Sequence, residues 1–316
     1  MKLVVANGWD PEGLEDVKKS FPNIEWVDGK TPEAMNEHIV DAEVVYGHVN
    51  SEHMKVAKNL KWVHSHSAGV DWVLRVPELI ESDVVVTNTT GGHADTISEH
   101  TIGMLISLTR GFPHLARAQG EKRWAQPLEF KPIGLSGRTM GVIGLGNIGS
   151  AIARVASAMQ MKVIAVDARK LDNPNYVERC DGLDKMPQLL QESDVVVVTV
   201  PFTPQTKDMI NAAEINQMKD SSYLIGISRG GIINEEALAA ALKSGKLAGA
   251  AVDVTAVEPL PSDDPLWEAP NLIITPHCCG TSEQTFREVT EFLRTNLNKY
   301  LAGEELVNAI DKRAGF

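Results

Sequence analysis

Apolar and polar positions alternate in two long stretches of the chain. In the first stretch, residues 2–87, short apolar runs rich in β-branched residues are separated by longer amphipathic segments. Such runs predict strands, and strands separated by helices predict a parallel sheet. Thr31 and Pro32 supply an N-cap and a first-turn proline for one of the helices, which we expect to end near Ile39. The predicted strands cover residues 3–6, 43–46, 62–66 and 84–87.

A helix that is apolar on nearly all sides is predicted between the two stretches, over residues 96–110. Thr96 and Glu99 fit a capping box, and the apolar residues of the segment cover more than one helical face. We expect such a helix to be buried, either between domains or between subunits. Residues 111–132 have no clear period, which predicts an extended arm or loop.

The alternation starts again at Arg138, now with longer and more apolar strands. Residues 195–198 are valines without polar alternation, as in strands buried on both faces. One connecting helix has Asn234 as its N-cap, acidic residues in its first turn and Gly245 after its end. These runs predict a second, doubly wound sheet of six strands. The strands cover residues 140–144, 162–167, 194–200, 223–228, 249–253 and 272–275.

Composition and charge narrow the class of protein. The 316 residues are enough for two domains, and 43% hydrophobic and 23% charged residues are typical of globular proteins. A net charge of -12 argues against nucleic acid and anionic membranes as partners, because both are bound through clustered Lys and Arg. Three cysteines are too few for a disulfide framework, and no apolar run approaches a membrane span. We expect a cytoplasmic protein with no membrane or nucleic-acid partner.

A glycine-rich turn lies at the start of the second stretch. Gly144, Gly146 and Gly149 form G-x-G-x-x-G directly after a predicted strand and at the beginning of a helix. The first glycine permits a tight turn, the second lets a pyrophosphate approach the backbone, and the third lets helix and strand pack closely. The helix N-terminus adds amide donors and a partial positive charge. The pattern predicts a dinucleotide-binding Rossmann domain.

The next strand ends at a residue that bears on the choice of dinucleotide. Asp167 stands where a carboxylate can accept hydrogen bonds from the adenosine ribose hydroxyls. A carboxylate there repels a 2′-phosphate, so we expect NAD. Arg169 and Lys170 weaken that preference, since they could accept the phosphate if Asp167 turned away, and NADP stays the weaker alternative.

The position of the glycine turn predicts how the domains are arranged. Because the turn begins only at Gly144, one α/β unit precedes it, and only a short tail follows the last strand. We predict an α/β protein with two doubly wound parallel-sheet domains, in which the Rossmann NAD-binding domain is inserted in a flavodoxin-like substrate domain. Residues 1–97, completed by 286–316, form the predicted substrate domain, and residues 98–285 form the Rossmann domain.

Three strand ends of the second sheet carry chemistry. Arg229, Asp253 and His277 each follow a predicted strand, and Glu258 lies shortly after Asp253. Ligands bind beyond the carboxyl ends of strands in such sheets. Arg229 can pair with a carboxylate and polarise a neighbouring carbonyl. His277, kept protonated and oriented by Glu258, can protonate a carbonyl oxygen. These roles favour reduction of a 2-oxo acid, with Asp253 accepting a hydrogen bond from the nicotinamide carboxamide.

The chain resembles the D-isomer-specific 2-hydroxyacid dehydrogenase family over nearly its whole length. The resemblance lies in "HSAGVD", "VTNTTGGHADTISEH", "VIGLGNIG", "VPFTPQTKDMINAAEINQMK", "SRGGIINEEAL", "AAVDVTAVEPLP" and "NLIITPHCCG", in that order. It implies that Arg229, Glu258 and His277 are the catalytic residues. It also implies a homodimer built on the cofactor domain, through the helix over 96–110 and the arm carrying Trp124.

The same resemblance implies a set of binding residues. The backbone of Ala68, Gly69 and Val70 would bind the substrate carboxylate together with Arg229. The residues implied for the dinucleotide are Gly144, Gly146, Asn147, Ile148, Gly149, Asp167, Pro201, Thr206 and Asp253. The chain departs from the family pattern at Cys278 and Cys279, where small or apolar residues are usual, at Gly226, where asparagine is common, and at Asn234, where aspartate is common. These departures leave substrate preference and thiol sensitivity open.

Four histidines and two cysteines also allow other interpretations. His48, His53, His64 and His66 could form a zinc site only if three or four ligands converge, and polar lining near the substrate loop is the favoured interpretation. No metal is expected at His277 and the two cysteines, since adjacent residues of an extended chain point to opposite sides. We expect one of these thiols to fill the core and the other to lie near the active site.

Two questions of function stay open at this level. The histidine-rich, arginine-free loops favour a small unphosphorylated substrate such as glyoxylate, hydroxypyruvate or pyruvate, and Glu258 disfavours chemistry of the formate dehydrogenase type. A thiol beside His277 could be reactive. The alternative function is a non-catalytic, NAD-sensing dimeric interaction protein of the same fold.

Overall fold

The computed structural model describes residues 1–6, 13–128, 130–169 and 173–313. The chain divides into two compact units, here called unit 1 (residues 1–93 and 281–316) and unit 2 (residues 94–280). Both are α/β units with parallel sheets, as predicted. The assignment of residues 1–97 and 286–316 to substrate, and of 98–285 to dinucleotide, stays a prediction.

The sheet of unit 1 has five parallel strands in the order β2-β1-β3-β4-β5. This is the flavodoxin-like order 2-1-3-4-5. The edge strand β2 was not predicted, because its residues alternate only weakly and are mostly half-buried or exposed. The strands are β1 (Lys2–Ala6), β2 (Glu25–Gly29), β3 (Val44–Tyr46), β4 (Trp62–His64) and β5 (Val85–Thr87).

The helices of unit 1 cover both faces of its sheet. The predicted cap is confirmed, because the Thr31 side chain accepts a hydrogen bond from the amide of Ala34 and Pro32 begins the helix. On one face, Val289 and Leu293 of the last helix pack against the buried Trp62, and each such side chain contributes about 1.5–3 kcal/mol by leaving water. The helices are α1 (Leu14–Ser20), α2 (Pro32–His38), α3 (Ser51–Val56), α4 (Pro77–Ile80) and α11 (Glu283–Ala302).

The sheet of unit 2 has seven parallel strands in the order β12-β11-β10-β9-β6-β7-β8. Counted from β6, this is the Rossmann order 3-2-1-4-5-6 with one more strand at the β12 edge. Strand β8 was missed because its sequence, Arg-Cys-Asp, has no apolar run. The strands are β6 (Thr139–Ile143), β7 (Lys162–Val166), β8 (Arg179–Asp181), β9 (Val195–Val198), β10 (Tyr223–Gly226), β11 (Gly249–Val252) and β12 (Leu272–Ile274).

The helices of unit 2 include one confirmed prediction and one correction. Asn234 caps α10 by accepting from the amide of Ala237, and Gly245 ends it in the left-handed conformation (φ 75°). The capping box at Thr96 was wrong, because α5 begins at Ala94 and Thr96 lies inside it. The helices are α5 (Ala94–Arg110), α6 (Phe112–Gly120), α7 (Asn147–Ala158), α8 (Met186–Glu192), α9 (Ala212–Gln217) and α10 (Glu235–Ser244).

The segment after α5 also differs from the prediction. An extended arm was predicted from Gly111, but residues 112–120 form α6, with Pro113 in its first turn. The pattern failed because few of the helix's side chains are buried, and Ala118 is the only one fully enclosed. Residues 121–128 are not helical, and Trp124 is 89% exposed. Over the described residues, no helix combines the length and apolarity that crossing a bilayer requires.

Candidate active site

The glycine turn between β6 and α7 has the shape that a dinucleotide requires. Gly144 has a φ of 96°, which favours glycine. A Cβ at Gly149 would lie 2.1 Å from the carbonyl oxygen of Gly144, whereas a Cβ at Gly146 would meet only the Arg169 guanidinium, 3.8 Å away. Thr199 Oγ1 donates to the carbonyls of Ile143 and Gly144 and holds the turn from the neighbouring strand. The backbone at Gly146 is therefore open to a ligand, while Gly149 is packed.

The first turn of α7 and the segment after β9 carry the other residues implied for the dinucleotide. Asn147 and Ile148 are the first residues of α7, and amides in the first turn have no acceptor within their helix. After β9, the Thr206 hydroxyl donates to the carbonyl of Pro201 at 2.7 Å and accepts from the amide of Thr203 at 2.7 Å. Both segments follow strands at the carboxyl edge of the sheet, which is where Rossmann domains bind dinucleotides.

Asp167 lies directly after β7 and is held by backbone and side-chain donors. Its carboxylate accepts from the amide of Leu145, inside the glycine turn, at 2.8 Å, and from the amide of Arg169 at 2.8 Å. The guanidinium of Arg169 also pairs with it, at 3.1 Å. Burial alone would raise the pKa of Asp167, but the hydrogen bonds from Arg169 and Leu145 lower it below its ordinary value. Lys170 lies outside the described residues.

His277 and Glu258 are in direct contact at the end of the sheet formed by β11 and β12. Nδ1 of His277 lies 2.7 Å from Oε2 of Glu258, and both side chains are partly exposed. The other carboxylate oxygen of Glu258 accepts from the amide of Thr255 at 3.0 Å, which fixes the direction of the carboxylate. With Nδ1 facing the carboxylate, Nε2 is the ring nitrogen that can exchange a proton with another molecule.

Arg229 follows the adjacent strand β10 at the same edge of the sheet. Its Nη1 donates to the carbonyl of Ser228 at 2.7 Å, so the guanidinium is turned back along its own loop. Its charge acts on Cys279, whose thiol pKa it lowers against a much larger increase from burial. The three predicted catalytic side chains thus follow three neighbouring strands, and Glu258 and His277 form a pair.

Asp253 has a role that sequence alone did not indicate. Its buried carboxylate accepts from the amides of Cys278 and Cys279, both at 3.0 Å, and from the Thr275 hydroxyl at 2.5 Å. Its carbonyl accepts from the amide of His277 at 2.7 Å. His277 has a φ of 52°, which is unfavourable for a residue with a side chain. Asp253 therefore stabilises the turn that presents the histidine.

The two cysteines occupy different environments, as expected for adjacent residues of an extended chain. Cys279 is 4% exposed and packs in the core of unit 2, and Cys278 is half-buried. Burial raises the pKa of both thiols, and Asp253 adds to the increase. A raised pKa disfavours the reactive thiolate form, and the reactivity of these thiols stays a hypothesis.

Sequence reasoning missed two residues beside Asp253. His100 of α5 places its Nε2 at 3.1 Å from the Thr275 hydroxyl and at 3.9 Å from the Asp253 carboxylate. Thr275 is separated from His100 by 175 positions. No local pattern connects residues this far apart, so only the folded chain could reveal the contact.

In unit 1, Ala68, Gly69 and Val70 follow β4 in a loop whose carbonyls are all engaged. The carbonyl of Ala68 accepts from the side chain of Asn88 at 2.8 Å, and that of Gly69 from the Ser67 hydroxyl at 2.8 Å. The carbonyl of Val70 accepts from the amide of Val73. Within the described ranges, the amides of the three residues donate to no other protein group. Successive backbone amides without a protein acceptor can bind an anion.

The histidines near this loop form a stack of aromatic rings. His48 stacks on His66 at a centroid distance of 4.8 Å and on Trp72 at 4.6 Å. Its Nε2 lies 3.2 Å from the Ser65 hydroxyl. Burial lowers the pKa of His48 to about 4 and that of His66 to about 3. These rings are therefore neutral at neutral pH.

His64 corrects one part of the sequence interpretation. It was expected to line the substrate loop, but it is fully buried in the sheet and its Nδ1 lies 2.7 Å from the Thr87 hydroxyl. Burial lowers its pKa to about 3. The described residues of unit 1 contain no group of three metal-ligating side chains.

Comparisons with known proteins agree with this geometry. Residues 102–279 match the family described as D-isomer specific 2-hydroxyacid dehydrogenase, NAD binding domain. A glyoxylate reductase of Thermofilum pendens is 34% identical over 81% of this chain and 76% of its own length. One from Korarchaeum cryptofilum is 30% identical over 98% of this chain and 96% of its own length.

A solved structure extends the similarity to the whole fold. The NADPH-dependent glyoxylate/hydroxypyruvate reductase of Sinorhizobium meliloti, in complex with NADP and sulfate, has a TM-score of 0.86 and 26% sequence identity to this chain. The alignment covers 100% of this chain and 99% of that one.

Proposed function

Because the chain belongs to the D-isomer specific 2-hydroxyacid dehydrogenase family, we propose that it reduces a small, unphosphorylated 2-oxo acid to the D-2-hydroxy acid with NADH, and catalyses the reverse oxidation. Members of this family are oxidoreductases that act on the CH–OH group. The observation that carries the proposal is the 2.7 Å contact between His277 and Glu258 beside the loop of Arg229. A histidine with an acidic partner at a ligand-binding sheet edge suits proton transfer to a carbonyl oxygen.

In this proposal His277 is the general acid for reduction and the general base for oxidation. Glu258 accepts the hydrogen bond of Nδ1–H, which leaves Nε2 to give a proton to the substrate oxygen or to take one from it. The amide of Thr255 keeps the Glu258 carboxylate in line with the ring. Asp253 acts through the backbone, by keeping His277 in its left-handed turn.

Arg229 and the loop of Ala68, Gly69 and Val70 are assigned to the substrate carboxylate. The guanidinium offers forked donors that can bind a carboxylate and polarise the adjacent carbonyl. The loop contributes backbone amides whose own carbonyls are already engaged by Asn88, Ser67 and Val73. Both groups recognise the carboxylate that all 2-oxo acids share, so neither selects among them.

The dinucleotide is assigned to the carboxyl edge of unit 2. When bound, the nicotinamide supplies or accepts the hydride at C2 of the substrate. The Gly146 backbone and the amides of Asn147 and Ile148 are suited to the pyrophosphate. Pro201 and Thr206 are assigned to the segment beside the cofactor, and Asp253 to the nicotinamide carboxamide. The Asp253 carboxylate has accepted three hydrogen bonds and has lone pairs for one more donor.

We assign NAD as the preferred dinucleotide because of how Asp167 is held. The amide of Leu145 fixes the carboxylate inside the glycine turn, so that moving it away from a 2′-phosphate would break a buried hydrogen bond. Arg169 supplies a positive charge next to it and keeps NADP as the weaker alternative. The similar Sinorhizobium meliloti reductase is NADPH-dependent, and kcat/KM with NADH and with NADPH measures the preference of this chain.

The charge of the unit 1 loops supports a substrate without a phosphate group. His48 and His66, which lie next to the substrate loop, are neutral because burial lowers the pKa of each well below 6.5. A phosphorylated hydroxy acid requires cationic partners for its phosphate, and these rings do not supply them. A small unphosphorylated acid such as glyoxylate, hydroxypyruvate or pyruvate is therefore favoured.

The chain is further proposed to act as a cytoplasmic homodimer. Phe112, Trp124 and Leu128 are exposed apolar side chains on α6 and the segment that follows it. Grouped exposed apolar residues are typical of protein interfaces. Sedimentation equilibrium of the wild type and of Trp124→Gln tests this. If the dimer is built on this surface, the variant should have a higher dissociation constant than the wild type, and equal constants would contradict this interface.

The central experiment measures nicotinamide absorbance while the protein is mixed with NADH or NADPH and a panel of 2-oxo acids. The panel contains glyoxylate, hydroxypyruvate, pyruvate and phenylpyruvate. We expect oxidation of NADH that falls by about 10²- to 10⁴-fold in His277→Ala, while the exposed control His114→Ala keeps wild-type activity. Binding of the dinucleotide without reduction of any acid would contradict the proposal and favour an NAD-sensing protein.

A further inference from the structure

Three side chains with nitrogen, oxygen and sulfur ligand atoms converge beside the His277 turn, within unit 2. His100 belongs to α5, Asp253 follows β11, and Cys278 follows β12. One ligand atom from each lies within 4.8 Å of the other two. Nε2 of His100 and Oδ1 of Asp253 are 3.9 Å apart. In the part of the chain that the structure describes, no other three histidine, cysteine or acidic side chains meet in this way.

The donor set and its dimensions suit one metal ion. Zinc binds cysteine sulfur at about 2.3 Å and histidine nitrogen or carboxylate oxygen at about 2.0–2.2 Å, in a tetrahedron whose ligand atoms are then about 3.4 Å apart. The 3.9 Å separation between Nε2 of His100 and Oδ1 of Asp253 exceeds that value by about 0.5 Å. Mixed nitrogen, oxygen and sulfur ligands favour zinc over magnesium or calcium, which take oxygen ligands.

We propose that His100, Asp253 and Cys278 form a zinc-binding site, with a water molecule as the fourth ligand. Zn²⁺ displaces the proton of the Cys278 thiol, so that a Zn–S bond forms and one proton is released to solvent. The thiolate and the Asp253 carboxylate together balance the two positive charges. Nε2 of His100 exchanges its contact with the Thr275 hydroxyl, now at 3.1 Å, for the metal.

The surroundings of the site are enclosed and already polar. Asp253 is buried, and the His100 side chain is only a quarter exposed. Cys278 is half-buried. Cys279 is excluded as a ligand because its side chain packs in the core on the other side of the chain.

Bound zinc would act on the catalytic turn, and this consequence rests on the proposed function. Asp253 accepts from the amides of Cys278 and Cys279, and its carbonyl accepts from the amide of His277. A metal that draws the Asp253 carboxylate and the Cys278 side chain together displaces the acceptor and one of the donors of these hydrogen bonds, and so shifts the turn that carries His277. Zinc at this site is therefore an inhibitor of 2-oxo acid reduction, and a chelator reverses the inhibition.

The first test measures zinc binding without any reference to activity. Purified protein, kept reduced, competes with a chromophoric chelator for zinc in the wild type, in Cys278→Ala, in His100→Gln and in the control Cys180→Ser. We expect one equivalent per chain in the wild type and in Cys180→Ser. Either ligand variant should weaken binding by about 100-fold or more, since loss of a mere partner of a ligand already costs about 10- to 100-fold. Equal affinity in wild type and Cys278→Ala overturns the site.

X-ray absorption of the zinc-loaded wild type gives an independent result that does not depend on how the variants fold. One sulfur at about 2.3 Å with nitrogen or oxygen neighbours at about 2.0 Å is expected. A shell without sulfur overturns the proposal.

The inhibition is tested separately in the reductase assay. Zinc should inhibit the wild type and Cys180→Ser, and Cys278→Ala should keep its activity when zinc is added. If the protein binds zinc through sulfur but reduces no 2-oxo acid, the proposed function fails and the metal site stands. If zinc inhibits Cys278→Ala as strongly as the wild type, the inhibitory role fails.

Discussion

The carboxyl edges of the two sheets present opposite kinds of ionisable group. At the edge of unit 2, Asp167, Asp253 and Glu258 are carboxylates that accept hydrogen bonds from backbone amides. Near the edge of unit 1, His48 and His66 are neutral rings stacked on each other. Both sheets are parallel and doubly wound, so topology alone does not explain the difference.

The difference comes from what each buried group finds as a partner. A buried carboxylate stays charged where amide donors or a guanidinium replace water, and the pKa of Asp167 is accordingly lowered. A buried histidine without sufficient acidic partners gives up its proton, and burial outweighs the charge of Asp71 near His48. In both sheets the parallel topology brings the loops after the strands to one edge. The hydrogen-bond partners of each side chain then decide whether these loops carry charge.

The largest expected effect is the loss of stability of unit 1 in acid. The pKa values of His48, His64 and His66 are lowered from 6.5 to about 4, 3 and 3. The unfolded chain therefore takes up protons below pH 6.5 that the folded chain does not bind. The stabilisation that the three neutral histidines contribute is complete above pH 6.5 and is lost as the pH falls towards their pKa values in the folded protein. The loss is about 1.4 kcal/mol per pH unit for each histidine, or about 4 kcal/mol per pH unit for the three together.

Urea unfolding at pH 7.5, 6 and 5 measures this loss. The carboxylates of unit 2 with lowered pKa values are Asp167, Glu192 and Asp194, and they lose their contribution only below their ordinary values of 3.8 for Asp and 4.5 for Glu. In His48→Gln, the slope of the free energy of unfolding between pH 6 and 5 should fall by about 1.4 kcal/mol per pH unit. Identical slopes in wild type and variant would mean that His48 is protonated in the folded protein.

The second effect tests whether the charge at the unit 2 edge acts on substrate. Arg229→Gln should lower kcat/KM for a 2-oxo acid by about 10² to 10³, since breaking a hydrogen-bonded charge pair costs about 2–5 kcal/mol. Arg154→Gln, in the same unit and exposed, is the matched control. Steady-state kinetics with glyoxylate gives the result. A change confined to the dissociation constant of NADH would assign Arg229 to the cofactor instead.

The third effect tests the acidic partner of His277. Glu258→Gln keeps the shape of the side chain but replaces the carboxylate with a neutral amide, which removes the negative charge beside Nδ1 of His277. We expect kcat to fall by about 10- to 100-fold. The acidic limb of the pH–rate profile should move as well, which a purely structural effect would not produce. Glu268→Gln, exposed in the same region of unit 2, should leave the profile unchanged. An unaltered profile in Glu258→Gln would remove this residue from the mechanism.

The smallest effect concerns the dinucleotide. Asp167→Asn removes the negative charge that opposes a 2′-phosphate, so the ratio of kcat/KM for NADH to that for NADPH should fall by about tenfold, or 1.4 kcal/mol. Arg169 is freed from its ion pair in the variant and adds to the change. Asp184→Asn serves as an exposed control. If the ratio does not move, the choice of dinucleotide lies elsewhere in unit 2.

Local patterns predicted the elements that carry their own signal. The cap at Asn234 and the left-handed end at Gly245 are determined by residues a few positions apart, and both are confirmed. The buried strands of valines are equally local. By contrast, β8 has no apolar run, and α6 buries too little of its surface to show a period. The structure therefore differs from the prediction where an element depends on tertiary packing and not on a local pattern of apolar residues.

The sequence by itself determined the class of chemistry, because residue types at strand ends and the glycine spacing need only the chain order and the rule that parallel strands end at one edge. Only the tertiary structure decided how Asp253 supports the His277 turn, why Cys278 and Cys279 differ, and that His100 lies beside them. It also made the unit 1 histidines neutral. The physical reason is that burial and hydrogen-bond partners come from residues far apart in the chain, and the periodicity of apolar residues does not reveal such contacts.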